Sequence, residues 1–122
     1  ALTGHLEAPI FCPNVADFYS GMVVTVPLFA GDLAGGMADI KEIYRKSYNT
    51  AIVRYKESPD EADFLSAAGL SGRDSMEISV LGNEERILLV ARYDNLGKGA
   101  SGAAVECLNL VMNCDKTAGL VL

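Results

Sequence analysis

The sequence contains few of the residues that enzymes most often use for chemistry. Its 122 residues include no tryptophan, one histidine and three cysteines. The cysteines, Cys12, Cys107 and Cys114, are odd in number and have no close pairing, which excludes the disulfide framework of a small secreted domain. We read Cys107 as a small core residue of a helix and the lone His5 as a bystander near the terminus.

Long apolar runs are also missing. No stretch approaches the roughly 18 apolar residues that a membrane-spanning helix needs. The first residues lack the basic, apolar and small-residue order of a signal peptide. These absences predict a cytoplasmic protein with no membrane partner.

Positive charge is scarce and scattered. Ten Lys and Arg against sixteen Asp and Glu give a net charge of −6 at pH 7. Because nucleic-acid binding requires clustered cations, we exclude nucleic acid as a partner and attribute the acidity to solubility. The acidic trio Asp60, Glu61 and Asp63 has no His or Cys nearby, so we interpret it as a solvated helix start and predict no metal site.

Several segments have the patterns of strands. Alternation from Met22 to Leu28 predicts one strand, and Pro27 places it at a sheet edge or ends it early. The short apolar run Ile10–Cys12 and the stretch Ala51–Tyr55 are two further candidates. A hairpin follows, with its turn at Gly82–Glu85.

The two strands of that hairpin differ in pattern. In Met76–Val80 the alternation directs Ile78 inward and Glu77 and Ser79 outward. Arg86–Tyr93 is apolar on both faces, which is typical of a buried central strand.

Helical patterns separate these strands. Asp39 is a good N-cap with Glu42 three residues on, and Glu42 with Lys46 forms an i, i+4 pair. The helix should end near Asn49 and pack through an apolar face formed by Ile40, Ile43, Tyr44 and Tyr48. A short helix at Ser58–Glu61 and a last helix from Gly99 to about Asn113 complete the set.

The order of elements is strand, strand, helix, strand, short helix, strand, strand, helix. At least two connections are too short for parallel crossovers. The sequence therefore predicts a single α+β domain over residues 1–122, with a mixed, mostly antiparallel sheet and helices on one face.

The most informative segment leaves a buried strand and opens the last helix. Gly97-x-Gly99-x-x-Gly102 matches the dinucleotide-binding fingerprint, but the second strand and the acidic residue that the fingerprint requires do not follow. Lys98 does not end a Walker A pattern. Two interpretations remain: a helix start that attracts an anion with the help of Lys98, or glycines that permit close packing.

The run Asp-Asn-Leu-Gly-Lys-Gly-Ala-Ser-Gly-Ala-Ala at 94–104, with Asn109-Leu110 in the same helix, resembles the C-terminal signature of N-acetyl-gamma-glutamyl-phosphate reductases. Upstream, Phe11-x-Pro13, Gly21 and Thr25 match the spacing of that family's F-x-P-H-x-x-P-x-x-R-G-x-x-x-T stretch. Residues 52–54, Ile-Val-Arg, are similar to its P-F-V-R-V strand.

The resemblance implies the C-terminal, dimerisation and substrate-side domain of an NADP-dependent enzyme of arginine biosynthesis, with a fold like the C-terminal domain of glyceraldehyde-phosphate dehydrogenase. Such an enzyme interconverts an acyl phosphate and a semialdehyde through a cysteine thioester. Implied partners are the small-molecule substrate, the N-terminal nucleotide-binding domain, which binds most of the cofactor, and a second copy in a homodimer or higher oligomer. By the same match, Asn95, Gly97, Lys98 and Gly99 lie near the cofactor or the domain junction.

The chain departs from the family at several points. Neither the G-N-P-G-C-Y type motif of the nucleophile nor the H-x-H-x-P-E stretch of the general base is found, so we predict no catalytic residue and no activity of the chain alone. Asn14, Asp17 and Ser20 stand where the family has His, Pro and Arg. A free-standing oligomerisation or regulatory module with the same fold is therefore an alternative. The C-terminal domain of an aspartate-semialdehyde dehydrogenase is a third, against which the D-N-L-x-K-G-A run argues.

Overall fold

The computed structural model describes residues 8–59 and 64–122. His5 and the acidic trio Asp60, Glu61 and Asp63 lie outside the described residues, as does the second half of the short helix predicted at 58–61.

The described part of the chain contains a four-stranded sheet with strand order β1-β4-β3-β2. The strands are β1 (Met22–Phe29), β2 (Val53–Tyr55), β3 (Met76–Gly82) and β4 (Arg86–Tyr93). β4 pairs antiparallel with both β1 and β3, whereas β2 and β3 are parallel. The predicted α+β class and the mixed, mostly antiparallel sheet are confirmed, and β4 is the central strand that its doubly apolar pattern predicted.

β1 is an edge strand, as Pro27 predicted. The Ala30 N–H donates to the Glu85 carbonyl at 3.0 Å, just beyond the end of the ladder. Since hydrogen-bonded and non-hydrogen-bonded pairs alternate along an antiparallel ladder, the even-numbered residues of β1 bond to β4. The nitrogen of Pro27 therefore faces outward, where a missing N–H costs no ladder hydrogen bond.

The predicted hairpin joins β3 to β4. The Asn83 side chain accepts from the N–H groups of Glu85 (3.0 Å) and Arg86 (2.9 Å), which closes the turn. Gly82 has φ +114°, and a Cβ there would collide with the Arg86 carbonyl. Only glycine fits this position without strain.

The core lies on both faces of β3 and β4 and consists of Ile52, Leu70, Ile78, Val80, Ile87 and Val90. The prediction that Glu77 and Ser79 point to solvent is wrong: their exposed fractions are 4% and 1%. The segment that includes the 3₁₀ turn Ala67–Leu70 covers their face of the sheet, because Gly69 lies directly against the Arg92 guanidinium, on the same face. Glu77 lies opposite Arg92 in the register and accepts from it at 2.7 Å.

The first helix, α1, spans Met37–Ser47 and begins two residues before the predicted cap. Asp39 is inside the helix, and its carboxylate accepts from the Gly36 N–H at 2.8 Å, so it caps from the third helical position. The predicted Glu42–Lys46 pair is present at 3.0 Å. Of the predicted apolar face, Tyr44 packs edge-on against Tyr55 of β2, with ring centroids 6.4 Å apart.

The predicted strand at Ile10–Cys12 is wrong, since residues 8–21 contain no strand. The apolar side chains of Ile10 and Phe11 are exposed, so the short apolar run is not part of the core.

The predicted last helix begins earlier than expected, with a π-helical turn at Gly97–Ser101 that continues into α2 (Gly102–Val111). α1 packs on the face of the sheet that carries Tyr55, whereas α2 follows the end of β4. That both helices share one face stays a prediction.

Across the described ranges, no helix combines the length and the apolar character that a membrane crossing requires.

Candidate functional site

The carboxylate of Asp94 organises the junction between β4 and the last helix. It is 2% exposed. Its Oδ1 accepts from the N–H groups of Leu96 (2.7 Å) and Gly97 (3.2 Å), which caps the helix start. Its Oδ2 accepts from the Gly72 N–H at 2.5 Å and the Ser20 hydroxyl at 3.0 Å. One side chain thus ties together three segments that are distant in sequence.

The protonation state of Asp94 follows from these partners. Burial alone would raise the pKa of the carboxyl, but the hydrogen bonds from Gly72, Leu96, Gly97 and Ser20 favour the ionised form more strongly and lower it. Every partner is a donor and none carries a charge. Asp94 is therefore an ionised, buried carboxylate held by neutral groups.

The glycines of the fingerprint-like run serve close packing. A Cβ at Gly99 would lie 3.1 Å from the Tyr93 ring, and one at Gly97 or Gly102 would collide with the Arg73 carbonyl or the Asp74 carboxylate. The π turn brings the Gly99 N–H to the Asp94 carbonyl at 2.8 Å. π-helical turns are frequent at functional sites, but here the close contacts of Gly97, Gly99 and Gly102 also explain why glycines occur at these positions.

Lys98 is engaged within its own helix. Its ammonium lies 2.5 Å from a carboxylate oxygen of Glu106, and both side chains are largely shielded from solvent. The positive charge that suggested an anion site is therefore balanced by a neighbour.

Asn95 connects the last helix to the stretch that precedes β1. Its Oδ1 accepts from the Gly21 N–H at 2.8 Å. Gly21 has φ +124° and lies so close to the backbone of Ala67 that a side chain there would collide. The two stretches that carry the family resemblance, around residues 11–25 and 94–104, are therefore joined by this hydrogen bond and by that from the Ser20 hydroxyl to Asp94.

A groove of about 410 Å³ opens at this meeting point. Its lining is mostly apolar and contains no charged residue; the lining residues are Asn14, Val15, Ala16, Phe18, Tyr19, Gly21, Met22, Val23, Ala67 and Asn95. Asn14 donates through Nδ2 to the Cys12 carbonyl at 3.3 Å. Within residues 8–59 and 64–122, Asn14 Oδ1 and Asn95 Nδ2 have no hydrogen-bond partner. The polar side chains of the lining are thus those of Asn14, Tyr19 and Asn95.

Only one of the four sequence-predicted residues lines the groove. It is Asn95, whereas Gly97 packs against Arg73, Gly99 against Tyr93, and Lys98 pairs with Glu106. Their predicted proximity to a cofactor stays a prediction.

Two residues that the sequence analysis did not predict as site residues, Asp94 and Ser20, are central to the junction; Ser20 was noted only as a departure from the family pattern. The signal for Asp94 was available, because an Asp at the end of a strand and just before a helix is typical of a capping side chain. Ser20 carried no such signal. It is buried, and its hydroxyl contacts Asp94 and, at 2.5 Å, the Ser71 hydroxyl.

The cysteines take no part in this site. The interpretation of Cys107 as a core residue is wrong, because it is exposed, as are Cys12 and Cys114. In the parts of the chain that the structure covers, His, Cys, Asp and Glu nowhere cluster as a set of three metal ligands.

Comparison with known proteins supports the resemblance. No family model matches the chain. The N-acetyl-gamma-glutamyl-phosphate reductase of Sinorhizobium medicae is 41% identical over 120 residues, which cover 90% of the chain and 38% of that enzyme. The enzyme of the same name from Brucella ovis is 40% identical over 120 residues, covering 91% of the chain and 38% of the enzyme. The chain spans 38% of the length of these curated relatives. It is therefore a homologue of a part of the N-acetyl-gamma-glutamyl-phosphate reductases.

Proposed function

We propose that the chain is the C-terminal domain of an N-acetyl-gamma-glutamyl-phosphate reductase, responsible for dimerisation and for one side of the substrate site. The observation that carries this proposal is the identity of about 40% with such reductases over nine-tenths of the chain. The meeting of both resembling stretches at the Gly21–Asn95 hydrogen bond supports it, because it places them at one groove.

The groove suits the nicotinamide end of NADPH, whose reduced ring is uncharged, better than the phosphates of the cofactor. Its lining has no cation, and Lys98 is already paired with Glu106. Asn95 Nδ2 would donate to the cofactor, while Gly97, Lys98 and Gly99 would support that contact from behind. NADP supplies or accepts a hydride in this reaction class. Most of its binding surface would come from the N-terminal nucleotide-binding domain.

The groove residues would position rather than transform the small-molecule substrate. Asn14 and Asn95 are amides that neither donate nor accept protons near neutral pH, and Ser20 directs its hydroxyl to Asp94. The apolar walls formed by Phe18 and Met22 would limit the access of water. The nucleophile and the general base belong to the rest of the proposed enzyme.

Two exposed apolar surfaces support the proposed partners. On one face of β1, Met22, Val24 and Val26 are exposed side by side, which fits an interface between two copies of the chain. At the end of α2, Leu108, Leu110, Val111 and Met112 are exposed. We assign this second surface to the nucleotide-binding domain, and we place the enzyme in the cytoplasm, where three exposed free thiols are stable.

The proposal is tested on the longer enzyme that contains this chain. NADPH-dependent reduction of N-acetylglutamyl phosphate should be measurable, and Asn95→Ala should raise the KM for NADPH about ten-fold, the effect of losing one hydrogen bond to the cofactor. Lys116→Ala, an exposed lysine whose side chain lies outside the groove, is the control. An unchanged KM and kcat in both Asn95→Ala and Lys98→Ala would refute the cofactor assignment.

A free-standing oligomerisation module is the second candidate, supported by Asn14 and Ser20, which replace the His and Arg of the family stretch. NADPH turnover by the longer protein separates the two, because the reductase-domain proposal expects activity that requires the nucleotide-binding domain. In calorimetry the 122-residue chain should bind NADPH weakly or not at all, and micromolar binding would contradict the reductase-domain proposal. Absence of turnover in the longer protein, with dimerisation retained, would favour the module.

A further inference from the structure

The two walls of the groove come from distant parts of the chain and have few direct contacts. Residues 14–21 contain no strand. Within this segment, one short turn is closed by a hydrogen bond from the Phe18 N–H to the Ala16 carbonyl at 3.1 Å. Across the groove, the Gly21 N–H reaches Asn95 Oδ1 and the Ser20 hydroxyl reaches Asp94 Oδ2. The strand pairing between β1 and β4 begins only at Met22.

Asp94 divides its two oxygens between these walls. Oδ1 holds the helix start through Leu96 and Gly97, on one side of Asn95. Oδ2 holds Ser20 and Gly72, on the side of the 14–21 wall. Asp94 is not among the groove-lining residues. Its carboxylate therefore contacts the supports of Asn95 and not the space in which a ligand would lie.

We infer that Asp94 is the positioning residue of the groove: with Ser20 as its partner, it fixes the Asn95 amide and the Gly21 backbone relative to each other. The inference rests on the proposed function only in taking the groove as the site. It also explains what Ser20 does in place of the family's Arg, since the side chain at position 20 points to a buried carboxylate and not into the groove.

The chemistry of Asp94 makes the inference specific. All four of its partners are donors, so only a group with two acceptor oxygens satisfies them all. In Asp94→Asn, an amide NH₂ replaces one oxygen and faces two donors. Either the helix start or the Ser20–Gly72 side then loses its acceptor, whichever way the amide turns.

The test uses amide NMR of the 122-residue chain. Ser20→Ala removes one partner of Oδ2 and leaves the helix cap intact. We expect hydrogen exchange of the Gly21 amide to accelerate about ten-fold, as for the loss of one supporting hydrogen bond, and the Asn95 side-chain NH₂ resonances to shift. Asp94→Asn should move the same signals further, and Ser20→Ala keeps the test valid if Asp94→Asn does not fold.

The matched control is Asn109→Ala on the same helix. Asn109 is buried and donates to the carbonyls of Lys116 (3.2 Å) and Ala118 (2.9 Å), away from the groove. If Ser20→Ala acted only through a general destabilisation of α2, Asn109→Ala would change the Gly21 exchange rate and the Asn95 resonances to the same extent. That result would overturn the inference. Unchanged Gly21 and Asn95 signals in Ser20→Ala would overturn it too. Because the signals need no nucleotide, failure of the proposed function would show separately, as absence of NADPH turnover.

Discussion

Asp94 and Glu57 each accept several hydrogen bonds, but one is buried and the other lies in solvent. Glu57, after β2, binds Lys41, Arg45 and the Tyr55 hydroxyl while its side chain is 55% exposed. Hydrogen bonds from Lys41, Tyr55 and Arg45 lower its pKa to about 2. Asp94 has only neutral donors and is 2% exposed. A strongly lowered pKa therefore does not imply a large contribution to the free energy of unfolding, because water screens the ion pairs of the exposed Glu57 but not the hydrogen bonds of the buried Asp94.

Glu77 is a third carboxylate, which combines burial with charged partners. Burial acts to raise its pKa, but hydrogen bonds from Arg92 and Arg54 outweigh that effect and lower it. The Arg92 guanidinium beside it is 3% exposed. Comparing the three sites therefore separates the effect of burial from the effect of partner charge.

Glu77→Ala should give the largest effect. Glu77→Ala removes a buried carboxylate that pairs with the buried Arg92 guanidinium at 2.7 Å, and we expect the free energy of unfolding to fall by about 3–5 kcal/mol. Urea unfolding followed by circular dichroism measures it. Glu85→Ala in the exposed hairpin turn is the control and should unfold like the unmodified chain.

Asp94→Ala should give an intermediate effect. The backbone N–H groups of Gly72, Leu96 and Gly97 lose their buried acceptor. We expect the free energy of unfolding to fall by about 2–3 kcal/mol at pH 7. A loss no greater than that of an exposed substitution would contradict the role of Asp94 as the junction of three segments.

The Asp94 contribution should also depend on pH. Its folded pKa lies below the unfolded value, so the contribution is complete above pH ~4 and is lost as the pH falls through the folded pKa. The gap in unfolding free energy between the unmodified chain and Asp94→Ala should therefore narrow below pH ~4. A gap that stays constant to pH ~2 would mean that ionisation of Asp94 is irrelevant.

Glu57→Gln should give the smallest effect. Its ion pairs lie in solvent, so we expect no resolvable change in the urea midpoint of unfolding. In the unmodified chain, the carbon-13 NMR titration of the Glu57 carboxyl should nevertheless give a pKa of about 2. A loss of unfolding free energy in Glu57→Gln comparable to that of Asp94→Ala would contradict the comparison and show that α1 depends on Glu57.

Much of the fold followed from local patterns. The alternation in β1, the doubly apolar β4 and the glycine and asparagine of the hairpin turn each predicted the observed element, because strand pairing and turn chemistry depend on a few neighbouring residues. The predicted start of α1 was wrong by three residues because Asp39 can cap from the third helical position as well as from the N-cap.

The errors share one cause. Alternation in β3 predicted that Glu77 and Ser79 face solvent, but another segment of the chain covers that face and Arg92 lies opposite. Cys107 was interpreted as a small core residue of its helix, yet it is exposed. No local pattern states which face a distant segment will cover.

The sequence by itself determined the α+β class, the four segments that form the sheet and the resemblance to the reductase family, since these depend on periodicity and on motifs read along the chain. Only the tertiary structure decided that Asn95 lines a groove while Lys98 pairs with Glu106, and that Asp94 joins Ser20, Gly72 and the helix start. The physical reason is distance along the chain. Asp94 and Ser20 are 74 residues apart, and their hydrogen bond exists only because the register of β1 on β4 brings Met22 opposite Tyr93.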